Sequence, residues 1–199
     1  MRVSKERAAH NRERILTSAA RLFREQGIAA TGVDAITDDA GLTHGGLYSQ
    51  FGSKEAIAAE AIRFALARGQ RVWQRALERN PGKGSIPAIV ESYLSRAHRD
   101  APGNGCVVAA LGTDIARQPR RVRQVFTKQI KDDLEFLSRL MPDDGRRPYE
   151  DAIVAFASMI GALILARAVS DDELSDLILK STAKRVIKRA KVRKAVRSS

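Results

Sequence analysis

From Thr31 to Phe51 the chain holds two short segments, each with one apolar face, on either side of Ala40-Gly41. Val33, Ile36 and Ala40 share a face of the first segment; Leu47 and Phe51, four residues apart, share a face of the second. Thr31 is a hydroxyl cap for the first helix, with Asp34 three residues on as a shortened capping box, and Thr43 is a cap for the second. Gly41 stands where a sharp turn can need a positive φ. A longer helix over 6–26 precedes the pair: Ile15, Ala19 and Phe23 repeat at four-residue spacing, with Leu16 and Ala20 beside them and Gly27 as a stop. Three helices with a tight turn before the last predict a helix-turn-helix.

That motif makes specific demands. Its second and third helices cross closely, so the crossing needs small residues, and Ala40 and Gly41 supply them. One face of the third helix docks on the core through Leu47 and Phe51. The other has to fit a DNA major groove, and it offers His44, Gly45, Gly46, Tyr48, Ser49 and Gln50.

The remainder also reads as helices. Ser53 caps a helix that begins Lys54-Glu55-Ala56 and carries Ile57, Ile62, Phe64, Leu66, Val72, Trp73 and Leu77. Breaks at Asn80-Pro81-Gly82 and at Pro102-Gly103 bound a helix from Ile86 to about His98. Further helices are predicted over 106–117, 120–140, 148–168 and 171–190. No strand pattern or internal repeat is visible. The composition, 44% hydrophobic but only 5% aromatic, suits packed helices better than a sheet. The expected fold is all-α.

The formal net charge of +12 favours polyanionic partners, nucleic acid first and an anionic membrane surface second. Lys180 to Ser199 contributes nine basic residues and no acid, either as a solvated tail or as a second contact to an anion. The single cysteine, Cys106, excludes an intramolecular disulfide and fits a reducing compartment. The segment after Met1 stays polar, without a stretch of signal-peptide length. The longest apolar run, Ala152 to Ala166, falls short of the roughly 20 residues a bilayer span needs. A cytoplasmic protein with no membrane partner is expected. His10, His44 and His98 lack metal-ligand spacing, and Gly82-Lys83 lacks the glycine that a phosphate-binding loop requires, so neither metal nor cofactor is expected. A Cys106–His98 nucleophile pair has no orienting partner in the sequence, so no enzyme is expected.

The stretch from Thr31 to Glu55 resembles the DNA-binding signature of the tetracycline-repressor (TetR/AcrR) family. The resemblance rests on Val33, Ile36, Ala40-Gly41, Gly45, Leu47-Tyr48, Phe51 and Ser53-Lys54-Glu55. It implies a homodimer of Ω-like shape, with residues 1–53 reading a double-stranded operator and residues 54–199 binding an effector and dimerising. By position, His44 and Gly45 meet base edges, while Thr43, Tyr48 and Lys54, with Gln50, hold phosphates. Thr31, Gly46 and Ser49 complete the expected interface. Asp34 sits where some members carry a base-reading arginine; an acid cannot bind phosphate, so that contact is not transferred. Gly45-Gly46 weakens the third helix by roughly 1 kcal/mol per glycine, which fits close approach to DNA, ordering on binding, or tight packing on the second helix.

An effector of unknown identity is expected among Phe64, Trp73, Tyr93, Cys106, Phe126 and Ile130. The dimer interface is expected along Ile153, Phe156, Ala157, Ile160, Gly161, Ile164, Leu165 and Ala168. The implied function is a one-component regulator, a repressor that binds a palindromic operator and is released by its effector. The alternatives are a nucleoid-type non-specific DNA binder and a redox sensor or enzyme built on Cys106.

Overall fold

The computed structural model describes residues 5–142 and 147–191. Among them every regular element is a helix. These are α1 (Lys5–Gln26), α2 (Val33–Ala40), α3 (His44–Phe51), α4 (Lys54–Arg79), α5 (Ser85–Tyr93), α6 (Arg96–Arg99), α7 (Val107–Ala116), α8 (Arg120–Leu140), α9 (Pro148–Ala168) and α10 (Asp172–Lys191), with one 3-10 turn at Pro102–Asn104. The basic run from Lys180 continues as the end of α10 to Lys191; its last residues, 192–199, lie outside the described residues.

The described chain forms two compact units whose limits differ from the 53/54 division expected from the sequence. The first takes the chain up to Gly69 together with Pro102–Thr127; the second takes Gln70–Ala101 and the chain from Lys128 onward. Both limits near Gly69 and Thr127 fall inside continuous helices, where no Pro- or Gly-rich linker marks them.

In the first unit, Ile15 and Phe23 of α1, Ile36 of α2, Leu47 of α3 and Ile57 of α4 are fully buried together with Leu111 and Ile115 of α7. Gly27 ends α1 at φ +87°, its N–H donating to the Phe23 carbonyl at 2.8 Å. The Arg24 Nε donates to the Gly103 carbonyl at 2.8 Å and Asp114 accepts from the Ile28 N–H at 3.1 Å, fixing the 3-10 turn and α7 against α1. Burial, and then the Arg68 charge, lower the Arg24 guanidinium pKa to about 10.

The start of α2 differs from expectation. Its N-cap is Gly32, with no side-chain bond. Thr31 is 0% exposed and its hydroxyl donates back to the Gly27 carbonyl at 2.7 Å. The expected helix from Ile86 to His98 is also two: α5 stops at Tyr93, and the Ser95 hydroxyl accepts from the His98 N–H at 3.2 Å to cap α6. A serine one turn before the end competes for the backbone as an N-cap.

In the second unit Trp73 stacks on Phe136 with ring centroids 5.9 Å apart and meets Phe156 edge-on at 5.8 Å. A polar clasp ties α6 to the α9–α10 turn. Arg167 donates to the carbonyls of His98 (2.7 Å) and Arg99 (3.0 Å), Arg99 donates to the Ser175 hydroxyl (2.8 Å), and Ser175 donates to the Ala166 carbonyl (2.7 Å). Arg96 pairs with Asp176 and, chiefly through that bond, holds its carboxyl down at about 2. Burial lowers the His98 imidazole pKa.

Helix α9 is apolar all round because it has two different apolar faces. Ala155, Phe156, Met159, Ala162, Leu163 and Ala166 are buried within its own unit. Ile153, Val154, Ala157, Ile164, Leu165 and Ala168 are exposed, with Ile160 and Gly161 half-buried beside them. Phe156 therefore belongs to the internal core and not to the outward stripe in which it was expected. At 100° per residue it falls about 60° from Ile153 on the inward side. By length and composition alone, Pro148–Ala168 could cross a membrane, contrary to the shorter run read from the sequence; its inner face is occupied by its own unit.

Candidate nucleic-acid interface

The turn between α2 and α3 is built by Gly41, which adopts φ +60°. Its N–H donates to the Asp38 carbonyl at 3.0 Å and the Leu42 N–H to the Thr37 carbonyl at 2.9 Å, the double closure of a Schellman turn. Its left-handed conformation is what requires glycine: a Cβ there would stand 2.7 Å from an Arg14 guanidinium nitrogen, the end of a flexible side chain that can swing aside. Thr43 then caps α3 as expected, its hydroxyl accepting from the Gly46 N–H at 3.4 Å.

Helix α3 is anchored on one side. Leu47 and Phe51 are buried. Arg12 of α1 donates to the Gln50 carbonyl at 3.2 Å, lies 4.3 Å above the Phe51 ring and pairs with Glu60 of α4. The sequence reading missed this brace: its partners lie 38 to 48 residues away along the chain. The opposite side is open. Thr43, His44, Gly45 and Ser49 are exposed, and Tyr48 is 45% exposed with its ring 6.4 Å from that of His44. Ser49 donates to the Gly46 carbonyl at 3.0 Å, which leaves its oxygen free to accept.

The structure brings Thr43, His44, Gly45, Tyr48 and Ser49 onto one surface and sets the other expected residues apart from it. Thr31 is sealed in the core, so it cannot touch a partner there. Gln50 and Gly46 are half-buried. Lys54, at the start of α4, donates from Nζ to the Ala29 carbonyl at 3.3 Å. An added Cβ at Gly45 would meet nothing within 4 Å, and at Gly46 only the Thr43 Oγ at 3.5 Å. Packing against α2 therefore does not account for the two glycines.

One pairing was unforeseen. The carboxylate of Asp34 on α2 bonds Nε2 of His44 on α3, and both side chains are largely exposed. An acid at this position faces α3 instead of capping α2.

The residues expected to hold an effector divide between the units: Phe64, Cys106 and Phe126 in the first, Trp73, Tyr93 and Ile130 in the second. Trp73 and Tyr93 are buried; Phe64, half-buried, lies under Arg68 at 5.2 Å. Cys106 is the half-buried N-cap of α7.

Comparison with known proteins agrees with this geometry. Residues 15–61, which span most of α1 through the start of α4, match the family described as bacterial regulatory proteins, tetR family. Over 180 residues the chain is 28% identical to an HTH-type transcriptional regulator of Mycobacterium tuberculosis, covering 84% of this chain and 89% of that one. It is 29% identical over 136 residues to the HTH-type transcriptional regulator UidR of Escherichia coli, covering 68% and 67% of the two chains. A TetR-family regulator from Cytophaga hutchinsonii shares the fold, with a TM-score of 0.76 at 20% identity over 94% of this chain and 97% of that one. The chain belongs to the tetR family of bacterial regulatory proteins: it is a transcriptional regulator whose DNA-binding helix-turn-helix is α2–α3.

Proposed function

We propose that this regulator is a cytoplasmic repressor that binds a palindromic operator as a homodimer and leaves it when a small molecule binds. The observation that carries the DNA reading is the two-sidedness of α3. Leu47 and Phe51 fix one side in the core, and Thr43, His44, Gly45, Tyr48 and Ser49 stand exposed on the other. His44 and Gly45, in its first turn, are the base readers. Thr43, Tyr48 and Lys54 are the phosphate contacts, Lys54 exchanging its bond to Ala29 for one to DNA. Open space at Gly45 lets the backbone come close to a base edge.

Dimerisation is assigned to the outward face of α9, from Ile153 through Gly161 to Leu165. Leu174 and Leu177 of α10, which are also exposed, are assigned to the same contact. An apolar face of this size on a soluble chain calls for a partner, and a second copy gives a symmetric four-helix contact. Residues 1–53 then read DNA, and the rest of the chain dimerises and binds the effector. The effector would favour a dimer whose reading helices no longer match the operator spacing, and by linkage DNA weakens the effector by the same factor.

The test is selection of bound fragments from genomic DNA followed by measured affinities. A regulator prefers its operator over random sequence by at least ~10³-fold. A flat preference would instead support a nucleoid-type binder.

A second reading concerns Cys106. It is the half-buried N-cap residue of α7, without a side-chain capping bond. A helix N-terminus is a position where thiols react, and release by thiol oxidation is the corresponding mechanism.

A further inference from the structure

We propose that the cleft between α7 and the start of α8 binds a small anionic amphiphile, its carboxylate or phosphate head held by Arg120 and Arg123 and its apolar body lying on Ala116 and Phe126. This deepens the effector reading above by giving it a site and a ligand class.

The cleft has a volume of about 350 Å³ and lies wholly within the first unit. That is inside the range of small-molecule sites, ~300–1,000 Å³. Two facing helical stripes build it. Gly112, Ile115 and Ala116 come from α7 at i, i+3 and i+4; Arg120 and Arg123 come from α8 at i and i+3, with Phe126 one turn on. The α7 wall is low because Gly112 and Ala116 are small and Ile115 turns into the core. A Cβ at Gly112 would meet nothing within 4 Å, so the space is open above the helix and not filled from another element.

The charge of the cleft is one-sided. Among the described residues neither Arg120 nor Arg123 pairs with a carboxylate, whereas the neighbouring Arg117 pairs with Asp114 at 3.1 Å. The first turn of α8 holds Arg120, Arg121 and Arg123 and no acid. Cations there oppose the helix dipole, and like charges one turn apart repel one another. A bound anion relieves both terms, and guanidinium groups suit a carboxylate or phosphate oxygen pair. The apolar floor adds a requirement that a bare inorganic ion does not meet.

The test is calorimetric titration of the full chain, without DNA, with decanoate, decyl phosphate, decanol and decylamine. The two anions should bind, with their relative affinity identifying the preferred head, and decanol and decylamine should bind at least about tenfold more weakly. Arg120→Gln/Arg123→Gln should weaken the anions about tenfold, and Gly112→Leu, which fills the cleft without touching its charge, should abolish binding of all four. Unchanged helical circular dichroism keeps both variants interpretable. Equal binding of decylamine and decanoate, or affinities that neither variant moves, would overturn the proposal. So would a double variant that flattens the salt dependence of DNA binding but leaves decanoate affinity intact, since the arginines would then serve nucleic acid. Decanoate that binds here yet never releases DNA would leave the site standing and refute its role as the effector site.

Discussion

Asp34 on α2 and His44 on α3 are bonded to each other across the helix-turn-helix, carboxylate to Nε2, on the exposed side of the motif. The bond commits one ring nitrogen of the proposed base reader and places a negative charge beside the surface proposed to meet DNA. Asp34→Ala should therefore do two things. It should raise affinity for every sequence, by a factor of about 2–10 at 0.1 M salt, because a repulsion with phosphate is removed. It should also broaden the preference at the base position read by His44, because the ring is no longer oriented. Binding of a randomised operator library measures both; an unchanged preference would mean that Asp34 does not position His44.

The outward face of α9 gives a prediction about assembly. Gly161 is half-buried in the middle of that face, with open space above it. Gly161→Arg puts a cation into the proposed interface and should give monomers by sedimentation velocity, with DNA affinity reduced accordingly. Trp73 fluorescence should report an intact second unit, because Phe156 packs inward. A tight dimer would refute the assignment.

Asp133 is 7% exposed, accepts from the Gln129 amide at 2.8 Å, and is pushed up to about 6 by burial despite its amide donors. The folded state thus holds this proton more tightly than the unfolded chain, so stability falls as pH rises from about 4 through 6. Asp133→Asn should remove that slope and stabilise the protein at pH 7 by up to about 3 kcal/mol. Urea unfolding between pH 4 and 7 checks it: parallel curves for the two proteins would contradict the assignment.

If Cys106 is a sensor, Cys106→Ser should keep DNA binding and lose release by mild peroxide. Equal release from both proteins would leave Cys106 a packing residue.

The sequence reading and the structure agree where the signal is local. Thr43 and Ser53 each precede a helix and cap it, Ser53 accepting from the Ala56 N–H at 3.1 Å. Thr31 carries the same hydroxyl signal, yet burial gives it the Gly27 carbonyl as partner, and the helix starts two residues later. The Asp34–His44 bond joins residues ten apart across a turn, and periodicity carries no trace of it. Phe156 was misplaced because a helix apolar on every side lacks the polar contrast that marks which face is inward. Two of the three unit limits were illegible because they cut α4 and α8 within continuous helix; the third falls at the Pro102-Gly103 break.

The central claim is that α3 reads sequence while the start of α4 only holds backbone. Phosphate contacts position a protein and base contacts specify its site. The decisive measurement is the binding of wild type, His44→Ala and Lys54→Ala to an operator library at several salt concentrations. His44→Ala should relax preference at one base position per half-site, at a cost of ~1–3 kcal/mol on the preferred operator. Lys54→Ala should weaken all sequences about equally and lower the salt slope by about one unit per subunit. A His44→Ala protein that loses affinity uniformly, with every base preference intact, would contradict the account and leave specificity to the Gly45-Gly46 backbone, to Ser49 or to DNA shape.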